Sequence, residues 1–282
     1  TDVDGDRAIL RRNVMISFLR GTGLWYYDYG PANAAGWWLE SRLMEEVKRM
    51  KEVAERYHAR RYEPAADVLF IYDTEVFYYT GSLPGTDPLT DRLAVNQTIG
   101  AAFASGAALE TVHLCDLERV DVARFKVVVF GNTWVLNDAQ RRFIRERVLR
   151  DGRHVVFQGL PGYGDGKRWS REAMAELVGQ QLTRADGRPR FTAPSERAGN
   201  VWFSPDAIVD AAQWRRIFRA AGAHVYVDTG DVVHAGAGLV LVHTKEGGPR
   251  KIALRSGRTL EKPMPAKSTW VIDAGTGELV LG

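Results

Sequence analysis

Cysteine is nearly missing from this 282-residue chain, which carries Cys115 alone. One thiol excludes an internal disulfide and a thiolate metal cage. Long apolar runs are missing too: none approaches the ~18 residues that a membrane-spanning helix requires, so no membrane partner is expected. Charge of one sign is scarce. There are 38 Lys and Arg against 35 Asp and Glu, a net +3, and the basic residues are spread along the chain without a basic block. Nucleic acid is therefore not an expected partner. No positively charged segment followed by an apolar stretch opens the chain, so no secretory signal is read and a cytoplasmic location is expected. The chain begins at Thr1 without Met, which reads as a processed or excised fragment, with a trimmed tag or an omitted Met as the plainer reading.

Catalytic signatures are equally sparse. No Gly-x-Ser-x-Gly elbow occurs. Cys115 closes an apolar strand pattern and is followed by Asp116-Leu117, without the glycine-flanked turn that presents a nucleophilic cysteine; a small buried thiol is the expectation. The six histidines (58, 113, 154, 224, 234, 243) never fall three to five residues apart, so no metal site is assigned. Gly162-Tyr-Gly164-Asp-Gly166-Lys167-Arg168 superficially suggests a phosphate loop. Pro161 holds the first glycine position of that pattern, though, and Arg168 replaces the magnesium-binding hydroxyl. It reads as a surface loop, Gly236-Ala-Gly238 precedes a β-run instead of a helix, and no cofactor is assigned.

What the chain does contain is 45% hydrophobic residues in well-defined periods. Residues 6–20 and 39–58 follow helical spacing, the second strongly amphipathic. Between them lie 24–29 (LWYYDY), read as a short aromatic strand, and the loop 30–38 (GPANAAGWW). From residue 67 onward strands and helices alternate: strands at 67–73, 109–115, 126–131, 153–158 and 223–228, helices at 88–105, 137–149, 170–179 and 208–221. Near-continuous apolar strands such as DVLFIYD fit a parallel sheet covered on both faces, so the fold class is α/β and doubly wound. Pro88 suits a first helical turn, and Asn137 with Gln140 forms a capping pair. The remainder, 232–282, spells short strands at 239–244, 250–255, 268–273 and 278–281 with glycine turns, a small antiparallel unit.

Trp25, Tyr26, Tyr27, Asp28, Tyr29, Trp37 and Trp38 crowd into fourteen residues. Tryptophan faces stack on sugar C–H surfaces, and a nearby carboxylate accepts hydroxyl hydrogen bonds, the make-up of many small-molecule pockets. The same rings fit core packing or an interface equally well.

The run from ILRRNVMISFLRGTGLWYYDYGPANAAGWWLE to KRMKEV resembles the last helix–strand–helix of the (β/α)8 barrel, or TIM barrel, in β-galactosidase-like enzymes, glycoside hydrolase family 42 and relatives. DVLFIYDTEVFYY, ARFKVVVFGNTWVLNDAQRRFIRERV and GRHVVFQGLPGY resemble the trimerisation domain after that barrel, a flavodoxin-like or amidotransferase-like sheet without the catalytic cysteine. AGAHVYVDTGDVVHAGAGLVLVHT and WVIDAGTGELV are similar to the tail of that domain and the small β-domain beyond it. The resemblance implies three parts: 1–62, 63–231 and 232–282. It also implies that the two catalytic glutamates, at the ends of the fourth and seventh barrel strands, lie upstream of Thr1. Retaining hydrolysis needs two carboxyl groups ~5–5.5 Å apart; Glu40, Glu45, Glu46 and Glu75 match neither family position, so no catalytic residue is assigned here.

Trp25 matches the eighth-strand aromatic that floors the sugar subsite, with Asp28, Trp37 and Trp38 as looser substrate-binding candidates. A carbohydrate substrate, bound through the parent barrel, is implied. So is a homo-oligomer, trimer or dimer, or a second chain supplying the other barrel strands. Tyr78, Tyr79 and Trp134 are interface candidates for which ordinary packing is the better reading. The alternative function is a non-catalytic oligomerisation or carbohydrate-binding module.

Overall fold

The computed structural model describes residues 3–26, 40–80, 92–179, 183–185, 188–190 and 196–282. In chain order its elements begin with helices α1 (Val3–Leu19) and α2 (Ser41–Tyr57), strand β1 (Val68–Tyr72), and helices α3 (Val76–Thr80) and α4 (Arg92–Phe103). Strands β2 (Leu109–His113) and β3 (Val127–Phe130), helix α5 (Asp138–Phe143), strand β4 (His154–Gln158) and helix α6 (Arg171–Val178) follow. Next come β5 (Thr183–Ala185), β6 (Arg188–Arg190), β7 (Glu196–Ala198), β8 (Val201–Ser204) and helix α7 (Ala211–Ala220). The chain closes with β9 (Val232–Gly236), β10 (Leu239–His243), β11 (Gly248–Ala253), β12 (Thr259–Met264), β13 (Thr269–Asp273) and β14 (Leu279–Leu281). The fold class is α/β, as the apolar alternation required. The described chain divides into two compact units.

The first unit comprises Thr1–Ala66, Gly106–Ala108 and Val225–Gly282. The first and last segments of the chain thus lie in one compact unit. The reason is burial. Strands β14, β13, β10 and β9 make a four-stranded antiparallel sheet, and Leu239, Leu241, Val271 and Leu281 leave an apolar face on it. The stripe of α2, with Met50, Val53 and Tyr57, joins Met15 and Leu19 of α1 in covering that face. Removing apolar area from water contributes roughly 25 cal/mol per Å2, so each surface needs the other.

Inside this unit Glu46 is fully buried. Its carboxylate accepts from Arg11 Nε at 2.6 Å and Arg7 Nη2 at 3.1 Å, with Arg49 Nη1 at 3.4 Å. Arg11 also donates Nη1 to the Thr269 carbonyl at 2.6 Å, tying both helices to β13. Burial pushes the Glu46 carboxyl up, and the Arg11 and Arg7 bonds outweigh it, leaving the group below the usual carboxylate range. At the other end of α2, Tyr57 donates its hydroxyl to Asp273 Oδ2 at 2.6 Å.

The second unit comprises Asp67–Ser105 and Leu109–His224. Its sheet runs β2-β1-β3-β4-β8-β7, with the first five strands parallel and β7 antiparallel at the edge. Strands β1 and β3 are buried at every position but Tyr72. Asn137 and Gln140 form the expected capping box on α5. The helix runs on through a π-turn to Val148, and Asp151 and Gly152 at φ 57° and 70° reverse the chain. Buried Arg153 closes that end, donating Nη1 to the carbonyls of Arg147 and Val148 at 2.8 and 2.9 Å.

Two strand expectations are corrected. Residues 223–228 are not the fifth parallel strand; that place is taken by β8, whose Val201–Ser204 pairs with Val155–Gln158. The alternation in AHVYVD is satisfied in the first unit instead. Val225 bridges Ala107, and Tyr226 N donates to the Gly106 carbonyl at 2.8 Å. Gly106, at φ +85°, lies so near Val227 that a Cβ there would stand 1.9 Å from its carbonyl oxygen. The second correction concerns 24–29. Leu24–Tyr26 is irregular and not a strand, and the rest of LWYYDY lies outside the described residues. An alternating aromatic pattern gives strand propensity, but a strand exists only through a hydrogen-bonded ladder. Pro88 also lies outside the described residues, the described helix there beginning at Arg92. Among the described residues no helix is long and apolar enough to cross a membrane.

Two expectations follow. Glu46→Gln leaves the buried Arg11 guanidinium without its counter-charge and should cost about 3–5 kcal/mol in urea unfolding. Because the native carboxyl titrates below its usual 4.5, this contribution is present above that pH and is lost as pH falls further. His234 acts in the same direction through another mechanism: burial, then Arg20, Arg12 and His243, push it down from 6.5 to about 3. The unfolded chain takes up that proton as pH falls below 6.5, the folded chain does not, and His234→Asn should flatten the decline measured by acid titration of stability.

Candidate functional site

In an open parallel sheet, ligands bind beyond the carboxyl ends of strands, where the strand order reverses. Here β1 is flanked by β2 and β3, and the chain leaves β1 at Asp73 and β2 at Leu114. A cleft of about 100 Å3 lies at this place, lined by Asp73, Glu75, Tyr79, Cys115, Asn137 and Asp165 among others.

The chemistry of the cleft is set by how its polar groups are occupied. Asp73 is buried, and burial pushes its carboxyl above the usual range. Its Oδ1 accepts from Glu75 N at 2.9 Å, while its backbone N–H donates to Asn132 Oδ1 at 2.8 Å. Asn137 and Gln140 satisfy each other in the capping box. Asp165 Oδ1 accepts from the backbone N–H groups of Lys167 and Arg168, both at 2.8 Å, and those bonds hold the carboxyl below its usual range. These groups are turn acceptors, bonded to the chain's own backbone.

Cys115 is exposed, not buried as its apolar strand suggested. A 3₁₀ turn, Leu114–Arg119, follows β2 at once and turns the side chain outward. Its Sγ lies 3.0 Å from His113 Nδ1; His113 Nε2 is 2.6 Å from Thr74 Oγ1 and 3.9 Å from Asp73 Oδ1. Cysteine, imidazole and carboxylate thus stand in a row, an arrangement that sequence spacing did not reveal because Asp73 and His113 meet only across the sheet. Partial desolvation of the exposed thiol, then the negative Asp116 and Glu75, push it above its usual 9.0, the opposite of the direction that activates a cysteine. Among the described residues no cluster of three or more His, Cys, Asp or Glu side chains could hold a metal ion.

The glycine-rich loop after β4 faces the wrong way for phosphate. Buried Arg141 donates Nη2 to the carbonyls of Gly162 and Gly164 at 2.5 and 2.9 Å and Nε to that of Leu136 at 3.0 Å. The loop therefore turns carbonyls onto a protein cation, where a phosphate cradle would converge N–H groups on an anion. It is a braced loop, and Arg141, its organiser, carried no sequence signal because one arginine in a run of charged helix residues reads as solvated.

Of the substrate-binding candidates, Trp25 is 76% exposed, while Asp28, Trp37 and Trp38 lie outside the described residues. Trp134 is buried core, matching the packing expectation. Tyr78 and Tyr79 depart from it, being 89% and 50% exposed.

No protein-family model and no curated protein matches this chain. Solved structures do. A β-galactosidase from the Antarctic haloarchaeon Halorubrum lacusprofundi superposes with TM-score 0.53 and 14% identity over 76% of this chain and 40% of its own. A catalytic mutant of a GH42 β-galactosidase from G. stearothermophilus gives TM-score 0.57 and 12% identity over 82% and 43%. The β-galactosidase from the psychrophilic Marinomonas ef1 gives 0.55 and 10% over 82% and 42%. The chain therefore has a glycoside hydrolase-related fold, that of part of these β-galactosidases, and spans less than half their length.

The thiol assignment predicts slow alkylation. Cys115 should react with iodoacetamide at pH 7 more slowly than free cysteine, and the midpoint of its pH–rate profile should lie above 9.0.

Proposed function

We propose that this chain is the C-terminal portion of a β-galactosidase-like glycoside hydrolase, with the reacting carboxylate pair on polypeptide outside it. The observation that carries this reading is the match over 76% to 82% of the chain to β-galactosidases of which it covers only 40% to 43%. Three carboxylates support it. Buried Glu46 is held by Arg11, and Asp73 and Asp165 are bound to turn N–H groups. A glycosidase instead needs two carboxyl groups flanking the scissile bond, ~5–5.5 Å apart for retention or ~6.5–9.5 Å for inversion.

Within that enzyme the segment around Trp25 lines the sugar pocket. An indole 76% exposed offers a flat face for stacking on sugar C–H groups, and Asp28, Trp37 and Trp38, outside the described residues, are the further sugar-binding candidates of this reading. The other barrel strands come from the upstream polypeptide or from a second chain. The second unit makes the contacts of a homo-oligomer, trimer or dimer, through Tyr78 and Tyr79, since exposed tyrosines are typical of association surfaces. That exposure is also what favours the second reading, a non-catalytic association or carbohydrate-binding module.

The purified chain should not hydrolyse a chromogenic β-galactoside, and mixing or co-expression with the polypeptide carrying the upstream barrel should produce turnover. Turnover that co-purifies with the isolated chain overturns the proposal. Failure of every upstream partner to give activity, together with a discrete oligomer in sedimentation that Tyr78→Ser/Tyr79→Ser dissociates, favours the module instead.

A further inference from the structure

A second depression lies beyond the carboxyl ends of β3 and β4, apart from the Asp73 cleft. It is open to solvent and leaves about 10 Å3 for the centre of an oxygen-sized atom. Its lining includes Thr98, Asn132, Trp134, Gln158 and Gly159. Trp134 and Gln158 are 3% and 1% exposed, and Trp134 Nε1 and Gln158 Nε2 are both buried N–H donors without a hydrogen-bond partner.

The orientation of the carboxamide is fixed. Gln158 Oε1 accepts from the backbone N–H of Ile208 at 2.6 Å and from Thr98 Oγ1 at 3.1 Å. A backbone N–H can only donate, so the oxygen must face Ile208 and the NH2 group must face away from it. The indole is fixed as well, because Gly159 at φ +67° leaves a gap: a Cβ there would lie 2.6 Å from Trp134 Nε1. Buried donors are paired in nearly all native proteins, since an unpaired one keeps its desolvation cost without return. Two donors without a partner among the described residues, on one depression, describe half of a binding site.

We propose that this depression binds the carbonyl oxygen of a small uncharged ligand, a carboxamide or ketone, between Trp134 Nε1 and Gln158 Nε2. The chemistry of the lining selects that class. A carbonyl oxygen carries two lone pairs and can take both N–H groups. No Lys, Arg or His lines the site, so a carboxylate would bury its charge uncompensated. A hydroxyl would need an acceptor for its own proton in addition to the two donors, which a carbonyl oxygen does not. Asn132 exchanges both its amide groups with the Asp73 backbone, and the single Thr98 hydroxyl proton is shared between the Ile208 carbonyl and Gln158 Oε1.

The test is a titration of the whole 15N-labelled chain with acetamide, followed in its side-chain N–H resonances, with acetate and ethanol as comparison probes. Acetamide should shift the Trp134 indole and Gln158 carboxamide signals together and saturably. The Trp202 indole, already bonded to His154 Nδ1, should stay still and serves as an internal reference. Trp134→Phe, which assigns the indole signal and removes one donor, should weaken the acetamide response of Gln158 by about tenfold, as expected for one lost hydrogen bond. The wild-type titration stands by itself should that variant fold poorly. Absence of a saturable shift, an equal response to acetate or ethanol, or a water molecule that stays in contact with both N–H groups at saturating acetamide overturns the proposal.

Discussion

The first unit depends on a buried charge that cannot be left alone. Glu46 lies on a helix with an apolar face, in a place where water does not reach, and only the arginines around it make that position tolerable. Arg11 spends one nitrogen on the carboxylate and another on the Thr269 carbonyl, so a single side chain specifies how α1, α2 and β13 meet. The hydrophobic surfaces of these elements would pack in several registers. The ion pair and the carbonyl bond are directional, and a slide of either helix would strand a charge.

The same economy recurs in the second unit, where buried arginines serve the backbone and not ligands. Arg153 closes the end of the helix that leads to β4, and Arg141 braces the loop that leaves it. Both answer the orphan carbonyls left by irregular chain, which a low-dielectric interior cannot leave unpaired. In the Asp73 cleft, too, the side chains of Asp73, Asn137 and Asp165 are bonded to the chain's own backbone.

Sequence reading located nearly every helix and the first four parallel strands because their signals are local: apolar runs, amphipathic stripes, a capping pair at Asn137 and Gln140. It misplaced the fifth strand because VWFS is short and follows a polar stretch, whereas AHVYVD has the better pattern and a non-local partner in Gly106–Ala108. It separated the chain ends because no local feature tells an amphipathic helix which apolar face will cover it. The Cys115–His113–Asp73 row and the Trp134–Gln158 donor pair were invisible for a related reason. Each is assembled from different strands, and in each the decisive fact is which atoms are already occupied. Of the four substrate-binding candidates, Trp25, Asp28, Trp37 and Trp38, Trp25 alone lies among the described residues, and it is exposed.

The first unit is assembled from three separated stretches of chain, with the whole second unit, in two pieces, inserted between them. A ribosome therefore releases α1 and α2 long before the strands that will shelter their apolar stripes have been made. The inserted sheet, continuous but for three residues, can close on itself first, as nascent domains generally do. During that interval the two early helices must be kept from other sticky surfaces, by each other or by a chaperone, until the final fifty or so residues emerge to claim them.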